Sequence, residues 1–219
     1  MQSPLFASLD AEAAAALRAS MSEQATPRGT VIFAEGQIGD HMYVIVEGKV
    51  KLGHASPDGR ESLMAVLGPG EIFGELSLFD PGPRAATATA LTDARVLALG
   101  NTSLRSWLAG RPEVAEALLA ALARRLRRTN ETLGDLVFSD VPGRVAKALL
   151  DLADRFGEMT PEGLLVKHDL TQEELAQLVG ASRETVNKAL ADFAQRGWVR
   201  VDQREVLLLS VDRLARRAR

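Results

Sequence analysis

At 219 residues, with 46% hydrophobic and 25% charged residues, the chain has room for two modest domains and the balance of an ordinary globular protein, which excludes wholesale disorder and fibrous repeats. It contains no cysteine, so disulfides, thiolate-held iron–sulfur clusters, Cys-ligated zinc and Cys nucleophiles are excluded together. The 26 Lys and Arg against 29 Asp and Glu leave a net charge of −3, a global figure that argues against a polyanionic partner. No apolar run of about 18 residues occurs, and Met1 to Ser8 lack the basic start and apolar stretch of a signal peptide, so a cytoplasmic protein without a membrane partner is expected.

In chain order, Ser8-Leu9-Asp10 followed by Ala11, Ala13 to Ala16 and Leu17 predicts a short N-terminal packing helix. From Gly29 to Leu99 the texture is β-prone: Thr30 to Ala34, Met42 to Val46, Val50 to His54, Leu63 to Leu67, Ala86 to Ala90 and Arg95 to Leu99. Turn sequences Glu35-Gly36, Glu47-Gly48, Pro57-Asp58-Gly59 and Gly68-Pro69-Gly70 punctuate these runs. Short strands at such even spacing predict a small β-sandwich or jelly roll.

Pro112 to Phe138 reads as one continuous helix, a rod of roughly 40 Å. Leu119, Leu122, Leu126, Leu133 and Leu136 step by three and four, with Thr129 filling the gap, which is an a/d seam. A parallel homodimer is the expected use of such a stripe, and an intramolecular bundle helix is the alternative. Arg124, Arg125, Arg127 and Arg128 beside it read as a solvated face. Ser139 to Gly143 breaks the helix and is the expected hinge and domain boundary, with a further helix from about Arg144 to Phe156 and a loop through Pro161-Glu162-Gly163.

Thr171-Gln172-Glu173-Glu174 has the form of a capping box opening a helix with Leu175 and Leu178 on its apolar face. Gly180 ends that helix and Ser182 caps the next within two residues, a link so short that the two must cross steeply. In the second helix Val186, Leu190 and Phe193 form the buried stripe, leaving Arg183, Glu184, Asn187 and Lys188 near its N-terminus. Those are base-reading side chains in the place where a recognition helix uses them; an ordinary exposed helix with a Glu184–Lys188 pair is the bland alternative. Gly197-Trp198-Val199 and Gln203 to Leu209 resemble a β-wing. Divided at residue 139/140, the N-terminal part carries 13 basic and 16 acidic residues and the C-terminal part 13 of each, so DNA binding must use a local surface. Arg213, Arg216, Arg217 and Arg219 are read as keeping a C-terminal helix solvated in preference to binding phosphate.

These stretches together resemble the Crp/Fnr family of transcription regulators, in the style of its actinobacterial cyclic-AMP receptor branch. The resemblance is carried by Phe73-Gly74-Glu75-Leu76-Ser77-Leu78-Phe79 with Pro83-Arg84, by Arg124-Arg125-Leu126 through Thr129-Asn130, by Asp140-Val141-Pro142-Gly143-Arg144, and by Leu170 to Glu174 through Gly180 to Val186. It implies an α+β chain: a cyclic-nucleotide-binding jelly roll over residues 1–110, a dimerisation helix over 111–139 and a winged helix-turn-helix over 140–219. It further implies a cyclic-AMP site of Gly74, Glu75, Leu76, Ser77, Arg84, Ala85, Thr129 and Asn130, with Glu75 on the ribose 2′-hydroxyl, Arg84 on the phosphate, and Thr129 and Asn130 on the adenine. A DNA surface of Thr171, Gln172, Ser182, Arg183, Glu184, Thr185, Asn187 and Lys188, a TGTGA-like palindrome, a homodimer and an RNA polymerase partner follow in the same way. One departure stands out: the family usually has Ser or Thr directly after the arginine, and here Ala85 and Ala86 follow, with the first hydroxyl at Thr87. Loss of a hydroxyl bond to a charged phosphate costs about 1.5–3 kcal/mol, which keeps open a weak cyclic-AMP site, a different ligand such as cyclic di-GMP, or a ligand-independent DNA binder. An enzyme with a cupin-like metal site is disfavoured because His41, His54 and His168 are scattered, and a haem-binding gas sensor is disfavoured likewise.

Overall fold

The computed structural model describes residues 3–7, 9–55, 61–80 and 82–218; the expected helix start at Ser8, the Pro57-Asp58-Gly59 turn and Arg219 lie outside them. Two short helices, α1 (Pro4–Ala7) and α2 (Ala11–Ala19), are followed by strands β1 (Ser22–Thr26), β2 (Val31–Phe33), β3 (His41–Glu47), β4 (Val50–Ala55), β5 (Glu61–Leu67) and β6 (Ile72–Phe73). Then come the turn α3 (Leu76–Phe79), β7 (Thr87–Ala90), β8 (Ala94–Gly100), α4 (Asn101–Gly110) and the long α5 (Pro112–Phe138). The remainder is α6 (Val141–Phe156), β9 (Gly157–Thr160), β10 (Gly163–Lys167), α7 (Gln172–Val179), α8 (Arg183–Gln195), β11 (Val199–Val201), β12 (Glu205–Leu208) and α9 (Val211–Arg217). The chain divides into two compact units, residues 1–54 with 65–128 and residues 55–64 with 129–219.

The N-terminal strands form two four-stranded sheets, ordered β1-β8-β3-β6 and β2-β7-β4-β5. The two-residue alternation of β3 divides its side chains between two cores. Tyr43 and Ile45 face the second sheet, in a core with Phe33, Val50, Leu67, Phe73, Ala88, Val96 and Ala98. Met42 and Val44 face the helices, packing with Leu5, Leu17, Leu97, Leu99, Leu104, Val114 and Leu118. This is why Met42 to Val46 reads as a nearly unbroken apolar run. Tyr43 stacks on Phe73 at 5.1 Å between ring centroids, and Phe33 lies 5.9 Å from each, an aromatic trio within this core.

Strands β1 and β6 were not expected. β1 is polar, with four of its five residues exposed, and owes its place to pairing along β8 from Ser22↔Ala98 to Thr26↔Ala94; β6 is only two residues long. The expected loop through Pro161-Glu162-Gly163 is the turn of a β9–β10 hairpin, pinned by Thr160 Oγ1 donating to the Gly163 carbonyl at 2.8 Å. With β12 and β11 the hairpin completes a sheet ordered β11-β12-β10-β9. The break after α5 is also shorter than expected. Asp140 is the N-cap of α6, accepting from the Gly143 amide at 2.9 Å, and Pro142 sits in the first turn where its missing N–H has no cost, so Val141 to Gly143 are helical. The apolar face of α6, Val145, Ala146, Leu149, Leu152 and Ala153, forms the floor of the second unit.

Candidate functional site

Arg84, 4% exposed, is built into a cradle. Its Nη1 donates to the Gly74 carbonyl at 2.5 Å and its Nη2 to the His41 carbonyl at 2.7 Å, while its guanidinium carbon lies 4.1 Å from the centre of the Phe33 ring. Gly74 has φ +77° and a Cβ there would come within 2.8 Å of Arg84 Nη1, so only glycine serves. A Cβ on Gly39 would lie 2.7 Å from Arg84 Nε and Cζ and from Ser77 Cβ, which places the buried Ser77 beside the arginine. Burial pulls the Arg84 pKa below its ordinary value, opposed by Tyr43, Asp40 and Glu75, but an arginine starts so high that it stays charged. Burial also pushes the Tyr43 phenol up. Arg84 Nε is buried without a hydrogen-bond partner.

Glu75 is 2% exposed and pairs through Oε1 with Arg125 Nη1 at 2.6 Å; Arg125 also donates to the Ile72 carbonyl. Arg125, and Arg128 beside Glu71 at 3.5 Å, therefore correct the expectation of a merely solvated arginine face. Oε2 of Glu75 is buried without a partner. A cation with an unmet donor and a carboxylate with an unmet oxygen, both buried, are costly unless something meets them. They suit a ligand carrying an anion and a hydroxyl. Leu76 is half exposed and Ala85 exposed; among the described residues no acceptor meets the Ala85 or Ala86 amide. Thr87 Oγ1, the first hydroxyl after Arg84, accepts from the Glu35 amide at 3.0 Å and is thereby tied to that loop. Thr129 and Asn130 are exposed on α5. Phe33, Gly39, the His41 carbonyl and Arg125 were not anticipated as site residues; only Arg125, which lies within one of the family-like stretches, carried a sequence signal.

At the other candidate surface the capping box is present in full: Glu174 N donates to Thr171 Oγ1 at 3.1 Å and Thr171 N to Glu174 Oε2 at 2.7 Å. Gly180 ends α7 at φ +68°, and Ser182 Oγ accepts from the Thr185 amide at 3.2 Å. Val186, Ala189, Leu190 and Phe193 are buried, so α8 presents Arg183, Glu184, Thr185 and Lys188 to solvent. Lys188 and Glu184 pair at 2.7 Å, while Arg183 makes no ion pair among the described residues. Asn187 is turned aside: it is half-buried, with Oδ1 enclosed and unpartnered. Thr171 is exposed and Gln172 half-buried at the start of α7. The link from α7 to α8 is fixed from below by Arg144, which donates to the carbonyls of Val179, Gly180 and Ser139 at 3.0, 3.2 and 2.8 Å. Along α5, Leu119, Leu126, Leu133 and Leu136 are 45–65% exposed, an uncovered apolar stripe.

Residues 23–111 match the cyclic nucleotide-binding domain and residues 143–217 the Crp-like helix-turn-helix domain. The chain is 58% identical, over 98% of its length and 96% of the relative's, to the CRP-like cAMP-activated global transcriptional regulator of Mycobacterium tuberculosis. The chain belongs to the CRP family of transcription regulators. It is accordingly a DNA-binding regulator and not an enzyme. A second CRP relative, the cyclic AMP receptor protein of Thermus thermophilus, is 39% identical over 94% of this chain and 95% of its own. The crystal structure of a CRP-family transcriptional regulator from the same organism superposes with TM-score 0.76 at 30% identity, covering 89% of this chain and 96% of that one.

Proposed function

We propose that this CRP-family protein is a homodimeric regulator that binds cyclic AMP and, in response, reads a palindromic TGTGA-like operator as two half-sites about one helical turn apart. The observation that carries the ligand half is the pair of buried, unmet groups, Arg84 Nε and Glu75 Oε2, inside a matched cyclic nucleotide-binding domain. In this assignment Arg84 with the Ala85 and Ala86 amides meets the cyclic phosphate, Glu75 accepts from the ribose 2′-hydroxyl next to Gly74, Leu76 and Ser77, and Thr129 and Asn130 serve the adenine. Arg183, Glu184 and Lys188 read base edges; Thr171, Gln172, Ser182 and Thr185 serve the phosphate backbone; Asn187 has the weakest claim because it is half-buried where Arg183, Glu184 and Lys188 are exposed. The exposed leucines of α5 support dimerisation through that helix, and residues 1–110, 111–139 and 140–219 divide as sensor, dimerisation helix and reader. RNA polymerase is the further partner. No described helix is long and apolar enough to cross a membrane, and we place the protein in the cytoplasm.

Calorimetry of the full-length protein with cyclic AMP, cyclic GMP and cyclic di-GMP, paired with operator binding in each ligand's presence, tests this. Saturable heat with cyclic AMP and a ligand-dependent gain in operator affinity are expected. No heat with any of the three and an unchanged operator affinity would refute nucleotide gating. The alanines after Arg84 favour a second reading, in which another ligand or none gates binding; heat with cyclic di-GMP alone would select it.

A further inference from the structure

Arg84 is a buried cation with no carboxylate in direct contact among the described residues. Among the described residues it makes no ion pair, and the nearest buried acid, Glu75, is already taken by Arg125 at 2.6 Å. What holds the guanidinium is neutral: two carbonyls, those of Gly74 and His41, and two ring faces, Phe33 at 4.1 Å and, more distantly, Tyr43 at 5.9 Å from the guanidinium carbon. The Phe33 ring is in turn fixed by Tyr43 and Phe73, each 5.9 Å away between centroids, and the Gly39 backbone closes a further side so tightly that no Cβ fits. A carboxylate in the place of the ring would hold the arginine equally well but would cancel its charge. A ring face attracts the cation through its quadrupole and leaves the full positive charge for an incoming anion.

Resting on the assignment of Arg84 to the ligand's phosphate, we infer that Phe33 is a positioning residue for nucleotide binding: its ring face orients and stabilises the desolvated Arg84 guanidinium without pairing with its charge, so that this charge stays available to the phosphate. The affinity gain comes from preorganisation, since the arginine does not have to be ordered or stripped of a counter-charge when the ligand arrives. Leucine fills much of the same space but offers no quadrupole, and fluorination of the ring removes the negative face while keeping the shape. The two changes therefore separate packing from electrostatics.

The test uses full-length protein and cyclic AMP as the probe. Site-specific incorporation of 3,4,5-trifluorophenylalanine at position 33 is expected to weaken binding about three- to tenfold in calorimetry, with the ligand-free Tm unchanged. F33L is expected to weaken it at least as much, and R84L to abolish it. If trifluorophenylalanine leaves the affinity unchanged while R84L abolishes binding, the role of Phe33 is overturned and the nucleotide assignment survives. A loss of affinity matched by a fall in the ligand-free Tm overturns the positioning role in favour of a structural one. If R84L binds cyclic AMP like the parent protein, the assignment of Arg84 falls, and the role of Phe33 with it.

Discussion

Arg183 stands at the first turn of α8 with no ion pair among the described residues, so turning its fork toward a guanine edge breaks no existing pair. Lys188 is differently placed, since a contact on DNA would require it to give up its 2.7 Å pair with Glu184. R183A is expected to cost about 1–3 kcal/mol on the operator and far less on non-specific DNA, read by competition titrations on the two. Equal losses on both would reassign Arg183 to phosphate. At the proposed ligand site Ala85 tests how much a hydroxyl contributes beside Arg84. Thr87 Oγ1, the next hydroxyl, accepts from the Glu35 amide, which holds it at that loop while leaving its own proton to donate. A85S is expected to tighten cyclic-AMP binding by up to about tenfold, measured by calorimetry. An unchanged affinity would assign phosphate recognition to Arg84 and the neighbouring amides alone.

The elements around α6 and α7 depend on their caps. The Thr171–Glu174 capping box satisfies two amides that would otherwise lack partners at the start of α7, and T171A is expected to cost about 1 kcal/mol in thermal unfolding. Asp140 caps α6 and pairs with Arg217 of α9 at 2.6 Å. Its pKa is lowered, first by the Arg217 hydrogen bond and then by the Gly143 amide. A carboxylate whose pKa falls on folding stabilises the fold above the ordinary Asp value and loses that contribution as pH drops through the lowered one. The unfolding midpoint of the second unit should therefore fall below about pH 4, and D140N, which keeps the cap without the charge, should flatten that part of the profile. A profile identical in the two proteins would place the acid sensitivity elsewhere.

For the chain taken entire, the unbalanced feature is the stripe on α5. Leu119, Leu126 and Leu133 are each more than half exposed, and such a line of leucines at heptad spacing is the surface that the proposed homodimer would cover. L126E places a charge in the middle of that stripe. It is expected to yield monomers in sedimentation velocity and to lose operator affinity, because two half-sites then bind independently. A chain of net charge −3 whose reading half is neutral gains little from bulk attraction to DNA. Its operator affinity should accordingly show only a moderate salt slope, set by a few phosphate contacts in each half-site.

Features that depend on near neighbours along the chain were legible before folding. The helix from Pro112 to Phe138, the capping box at Thr171, the Gly180 and Ser182 caps, and the buried stripe Val186, Leu190 and Phe193 all follow from spacing within a few residues, and the structure reproduces each. The apolar β runs were legible for the same reason, and the stretches around Gly74, Thr129, Asp140 and Ser182 carried the family. Features that join distant residues emerged only once the chain had folded. β1 has no apolar alternation and exists because β8 offers it a ladder. Arg125 looked solvated until folding brought it 2.6 Å from Glu75, fifty residues away. Phe33 read as an ordinary strand residue, and its meeting with Arg84, with Gly39 against the guanidinium, joins three loops and strands that no local pattern links. Helix periodicity and caps are written over three to seven residues, whereas a buried charge and what holds it are settled only when separate strands close on one another.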